Sequence, residues 1–155
     1  VSSDITSTEG TFNVNDGATT TINQDSNLIF PTVEVQTGGT LNIEVNVQAS
    51  NNVIVNSDGT LHLTNGGTID TTLASVYGTL NGIGSITGTT TAYAGSYLKP
   101  GNSPGSITFD NLVLDGNSTT VMEIETTQTA GTTFDQIIVN NNLTIKNGAK
   151  LKIID

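Results

Sequence analysis

The sequence predicts an all-β fold, a β-solenoid of stacked coils. Three observations carry that prediction: apolar and polar residues alternate at period two, a glycine-bearing turn closes each alternating run, and the unit recurs along the chain. It reads Val33-Glu34-Val35, Gly38-Gly39, Leu41-Asn42-Ile43, and again Val53-Ile54-Val55, Gly59, Leu61-His62-Leu63. Further copies stand at Val76, Gly78, Leu80; at Leu112-Val113-Leu114, Gly116, Val121-Met122-Glu123-Ile124; and at Leu143-Thr144-Ile145, Gly148, Leu151-Lys152-Ile153. Turn glycines at 39, 59, 78, 95 and 116 lie roughly 17 to 21 residues apart, a spacing of one coil per repeat.

Successive side chains leave a strand on opposite faces, so each unit has an apolar face too small to bury itself and must stack on its neighbours. Inward positions are expected at Val35, Leu41, Val55, Leu61, Leu63, Leu80, Leu112, Leu114, Ile124, Ile145 and Leu151, with Thr, Asn, Ser and Asp facing water. The 155 residues are expected to form one domain, 1–155, of about seven to eight coils, on the order of 35 Å long at the usual strand spacing.

In chain order, the run Leu28-Ile29-Phe30 before Pro31 puts an apolar cluster into the first coils, where a solenoid end needs cover. Residues 1–97 read as the regular coils and 98–155 as a terminal segment. That segment opens with Leu98-Lys99-Pro100-Gly101-Asn102-Ser103-Pro104-Gly105. Proline fixes φ and glycine supplies positive φ, so two Pro-Gly units four residues apart demand a compact double turn. Thr126 to Thr133 reads as an exposed loop.

The stretch from Leu98 to Ile153 carries the LKPGNSPGSITF opening, the strand Val121-Met122-Glu123-Ile124, the step Phe134-Asp135-Gln136-Ile137 and the final Leu143 to Leu151 pattern. In these features it resembles the autotransporter-associated β-strand repeat of bacterial surface proteins. The resemblance implies a right-handed parallel β-helix exported to the cell exterior, where the segment is structural and helps the helix fold. No catalytic residue belongs to that motif. The barrel that usually follows in the family is not within these 155 residues and the upstream part is short, as expected either of a fragment of a larger protein or of a short secreted protein that uses the module alone.

Composition narrows the partners. Net charge is −10, and the four basic residues are all lysines, Lys99, Lys146, Lys150 and Lys152. Nothing here neutralises a run of phosphates, so neither nucleic acid nor an anionic membrane is an expected partner. Absence of cysteine excludes a disulfide framework and Cys-ligated metals. No apolar run of about 18 residues predicts membrane insertion. The start Val1-Ser2-Ser3-Asp4 reads as a mature terminus after signal removal or as an artificial boundary.

Candidate chemistry is sparse. Glu123 and Glu125 stand two apart and could share a face as an acid and base pair, but solvated carboxylates explain them. Asp110 and Asp115 flank a strand and are expected at turns. His62, the single histidine, points away from Leu61 and Leu63 and lacks a second ligand. Asn65-Gly66-Gly67-Thr68-Ile69-Asp70 only loosely matches a calcium-binding repeat. Thr19-Thr20-Thr21 and Thr89-Thr90-Thr91 do not recur on every coil as an ice-binding face would require. The sequons at Asn117 and Asn142 carry no weight in a bacterial protein. A lyase of the β-helix type would use arginine, and there is none.

No catalytic, cofactor or metal site is therefore assigned, and an enzyme is not expected. The leading expectation is a non-enzymatic extracellular structural β-helix at the cell surface, a passenger stalk or adhesive module that meets surface glycans or proteins. A secreted subunit that self-associates through its terminal coils into filaments is the alternative, and a polysaccharide-active β-helix a lesser one. Lys146, Lys150 and Lys152 either blunt the C-terminal edge or, in a head-to-tail assembly, meet Asp4, Glu9 and Asp16 of another copy.

Overall fold

The computed structural model describes residues 5–6, 9–23, 28–101, 104–125 and 129–155, the first two by backbone alone. Its strands are β1 (Ile5–Thr6), β2 (Thr11–Val14), β3 (Thr19–Ile22), β4 (Leu28–Val35), β5 (Thr40–Ile43), β6 (Asn46–Val55), β7 (Thr60–Val76), β8 (Thr79–Ala92), β9 (Tyr97–Pro100), β10 (Ser106–Leu114), β11 (Thr119–Glu123), β12 (Gln136–Ile145) and β13 (Lys150–Ile154). They pair in parallel as one 13-stranded sheet wound into a β-solenoid. Longer strands turn a corner partway, where the register shifts, as between Phe30 and Thr32 or Phe109 and Asn111.

Three ladders result. Along the first, successive coils present Ile5, Leu28, Val47, Ile69, Ile86, Phe109 and Val139 in register. The second presents Val14, Val35, Val55, Val76, Ala92, Leu114 and Ile145. Thr20, Leu41, Leu61, Leu80, Leu98, Thr120 and Leu151 form the third. Five turns thus have neighbours on both sides, closed by a first and a last coil; counted as full turns this falls below the seven to eight coils expected.

The core is the set of β-branched and leucine side chains stacked inside these ladders. Val35, Leu41, Val55, Leu61, Leu63, Leu80, Leu112 and Leu114 are buried as expected. Three expected positions differ. Ile145 and Leu151 sit in the inward phase but are 64% and 66% exposed, because they belong to the last described coil and no described residue covers them. Ile124 is half-buried, just past the end of β11, where the chain leaves the ladder to bridge Phe134. Leu28 and Phe30 lie buried in the second coil, with the Phe12 ring 4.9 Å from that of Phe30, so this cluster is core and not an exposed end.

The corner between the second and third ladders shows how the repeat is written. Six of its turns have four residues: Asn15–Ala18, Gln36–Gly39, Asn56–Gly59, Tyr93–Ser96, Asp115–Ser118 and Lys146–Ala149. Each is closed by a bond from the fourth N–H to the first carbonyl, 2.9 to 3.1 Å long. The third residue takes positive φ: Gly17, Gly38, Asp58, Gly95, Asn117 and Gly148, all of types that tolerate the left-handed region. The fourth is always Ala, Gly or Ser, since the chain packs against the preceding coil there; a Cβ on Gly39 would lie 2.8 Å from the Val14 carbonyl oxygen.

Leu61 is fully buried between Leu41 and Leu80. Leu61→Asp should cost several kcal/mol, about that of an unpaired buried charge. His62→Ala, on the outward face, should stay within about 0.5 kcal/mol of the parent. Urea denaturation of the two variants checks both values.

Candidate functional site at the C-terminal coil

The last coil departs from the regular spacing. Leu114 pairs with Ile145 and Thr120 with Leu151, offsets of about thirty residues, because the chain makes a detour between Glu123 and Gln136. In it, Ile124 and Phe134 form an antiparallel bridge and the Glu125 N–H donates to the Thr133 carbonyl. This matches the loop expected at Thr126 to Thr133 for residues 129–133; residues 126–128 lie outside the described residues.

Asp135 anchors the detour. Its buried carboxylate accepts the Gly105 N–H at 2.9 Å and the Glu123 N–H at 2.8 Å, while its own N–H donates to the Glu123 carbonyl. One side chain thereby ties the Pro-Gly turn to the end of β11, satisfying backbone donors that would otherwise be buried unpaired. Gly101 has φ +95°, and a Cβ there would collide with this carboxylate and the Gly105 nitrogen. Asn102 and Ser103, at the centre of the double turn, lie outside the described residues.

Beyond this anchor the end of the core is open. Leu143, Ile145, Leu151 and Ile153 are each more than half exposed. Ile145, Leu151 and Ile153 wall a cavity of about 410 Å³ together with Leu114, Met122 and Phe134. Among the described residues β12 and β13 pair on one side only, so each presents a free parallel edge. The other end differs: Val14, in the first coil, is 1% exposed. Lys146, Lys150 and Lys152 all lie on the C-terminal coil, Lys146 bridging Asp115 at 3.2 Å. An apolar bowl rimmed by unpaired strand edges can receive another layer of β structure; the Asp135 carboxylate in its wall is taken up by the Gly105 and Glu123 N–H groups, and Lys150 also stands on the lining.

The residues singled out in the sequence are dispersed. His62 stands outward between Asn42 and Asn81 of adjacent coils, its Nε2 shut from solvent without a hydrogen-bond partner. Glu123 ends β11 and Glu125 lies beyond it, so the two do not share a strand face. Asp110 sits at a corner, accepting the Gly88 N–H and the Asn140 amide. Asp115 opens a turn, as expected, and its carboxyl is held below the ordinary carboxylate range first by the Gly116 N–H and then by Lys146. Asp70 accepts the Thr87 hydroxyl at 2.6 Å. The threonine clusters fall on different ladders, in β3 and β8, and Thr90 points into the core. Asn117 occupies a left-handed turn position, and Asn142 donates to Asn111. No three His, Asp or Glu side chains converge among the described residues. No described helix is long and apolar enough to cross a membrane.

Sequence inspection missed Asp135 as an anchor, although the Phe134-Asp135-Gln136 step marked its position. No family model, no curated protein and no solved structure matches this chain.

Gly101→Val should destabilise by about 1–3 kcal/mol from backbone strain alone, while Glu125→Gln leaves the melting temperature nearly unchanged. Equal effects in thermal melts would contradict the backbone role of this turn. Since folding lowers the Asp115 pKa, its contribution is complete above the ordinary carboxylate range and disappears as pH falls through the lowered value. Asp115→Asn should therefore flatten the acid limb of a plot of melting temperature against pH.

Proposed function

We propose that the chain is a non-enzymatic structural β-helix working outside a bacterial cell, as a passenger stalk or adhesive surface module. The observation that carries this is where its polar side chains are spent. At the corner between the first and second ladders they link each coil to the next. Ser50 donates to the Phe30 carbonyl, Thr72 to the Ser50 carbonyl and Thr71 to that of Asn51. Thr87 donates to Asp70, Asn111 to the Gly88 carbonyl and Asn140 to Asp110. Hydrogen bonds running lengthwise, added to three backbone ladders, stiffen a rod. The cell-exterior setting is supported by the resemblance of residues 98–153 to the autotransporter-associated repeat.

The open bowl favours a second reading, a subunit of filaments. Its occupant would be the first coil of another copy, because only head-to-tail stacking keeps the ladders parallel. Lys146, Lys150 and Lys152 would then face the acidic first coil with Glu9 and Asp16; Asp4 lies outside the described residues.

Two measurements test these readings. Antibodies against the purified protein should label intact source cells; label appearing only after lysis would overturn the exterior setting. Light scattering and electron microscopy should show an elongated monomer. Fibres that form at low salt and vanish in Leu151→Asp would replace the stalk with the filament. Thr72→Val with Thr87→Val should lower stability by about 1 kcal/mol per lost bond without changing the shape.

A further inference from the structure

One corner breaks the turn rule. Where six coils place four residues between the second and third ladders, the coil of β7 and β8 places two, Tyr77 and Gly78, between Val76 and Thr79. The missing pair leaves a notch between the full-length turns on either side. The cleft measures about 260 Å³ and is bordered by Ser57, Asp58, Tyr77, Thr79, Ala94 and Tyr97.

The chain's three tyrosines gather here. The Tyr77 and Tyr93 rings stack with centroids 4.4 Å apart and planes 10° from parallel. Tyr97 begins β9 in register with Thr79, and the Lys99 ammonium stands 5.3 Å from its ring. Tyr77 and Tyr97 are 39% and 46% exposed, an unusual investment of aromatic surface in a chain with no tryptophan. The other members of this corner column are polar: Asn15, Gln36, Asn56, Asp115 and Lys146. Asn56 is tied to Glu34 and Asp115 to Lys146, whereas Asp58 has no hydrogen-bond or ion-pair partner among the described residues.

We propose that this notch is a saccharide-binding site for one pyranose ring of a neutral glycan, seated against Tyr77 and Tyr97 with Asp58 and Ser57 hydrogen-bonded to its hydroxyls. A pyranose has an apolar face of C–H bonds and a rim of hydroxyls. Flat aromatic faces beside a few fixed polar groups match both parts. A neutral sugar is favoured because the protein carries net charge −10 and a carboxylate stands at the rim. Partial desolvation, and then the adjacent Tyr93, hold the Tyr77 phenol above the ordinary tyrosine range. The site rests on the adhesive half of the proposed function and names its ligand class and location.

With no tryptophan in the chain, ultraviolet emission comes from these three tyrosines alone. Titrating the full chain with methyl glycosides of glucose, galactose, mannose and N-acetylglucosamine, and with their oligosaccharides, should give a saturable emission change for at least one sugar. By calorimetry, Tyr97→Ala should weaken that binding about tenfold or more, Asp58→Asn should weaken it, and Tyr97→Phe should keep it. Inserting two residues between Tyr77 and Gly78, which restores the four-residue turn, should abolish binding. Circular dichroism and melting confirm that each variant is folded. Silence of the whole panel, or binding that survives both Tyr97→Ala and the insertion, overturns the site. Either result leaves the shape and surface labelling of the stalk untouched, so the two failures are distinguishable.

Discussion

In-register stacking of one coil on the next is the constraint on which the rest of this structure depends. Val35, Val55 and Val76 lie one above another, as do Leu41, Leu61 and Leu80. A slip of one residue in any strand would turn its apolar set to water and its threonines and asparagines into the core. Strand length within a coil is therefore held nearly constant, and differences in coil length are expelled to the corners. The corner between the second and third ladders admits one left-handed residue followed by one small one. The corner before the first ladder absorbs the Pro-Gly turn and the detour anchored by Asp135.

Period-two alternation made the fold class and most of the core legible, because inward and outward residues differ in chemistry at nearly every step. Glycine proved an incomplete marker of the turns. Gly39 and Gly59 hold the fourth position, Gly95 the third, Gly116 the second, and Gly78 belongs to the shortened turn, so their spacings mix turn position with coil length. Asp58 and Asn117 occupy the left-handed position without glycine, and an aspartate in a polar turn looks like any other. Ile145 and Leu151 were assigned to the right phase, but phase says which way a side chain points and not whether another layer covers it.

The anchoring by Asp135 was hidden for a related reason. Its two partners are backbone N–H groups thirty and twelve residues earlier, and backbone donors leave no trace in residue types. The tyrosine notch was equally silent. Tyr77, Tyr93 and Tyr97 are dispersed in the sequence, and only the ladder register shows that one turn is two residues shorter than its neighbours.

Corners therefore behave as editable margins of a text whose lines cannot shift. One corner has lost two residues and opened a cleft; another has gained a twelve-residue excursion, Ile124 to Asp135, without disturbing the rungs on either side. Peptides or recognition loops grafted there would inherit a rigid backing and a known height along the rod. A series of them could be displayed at intervals set by the strand spacing, roughly 4.8 Å per coil, which makes this fold a graduated ruler for arranging ligands in a line.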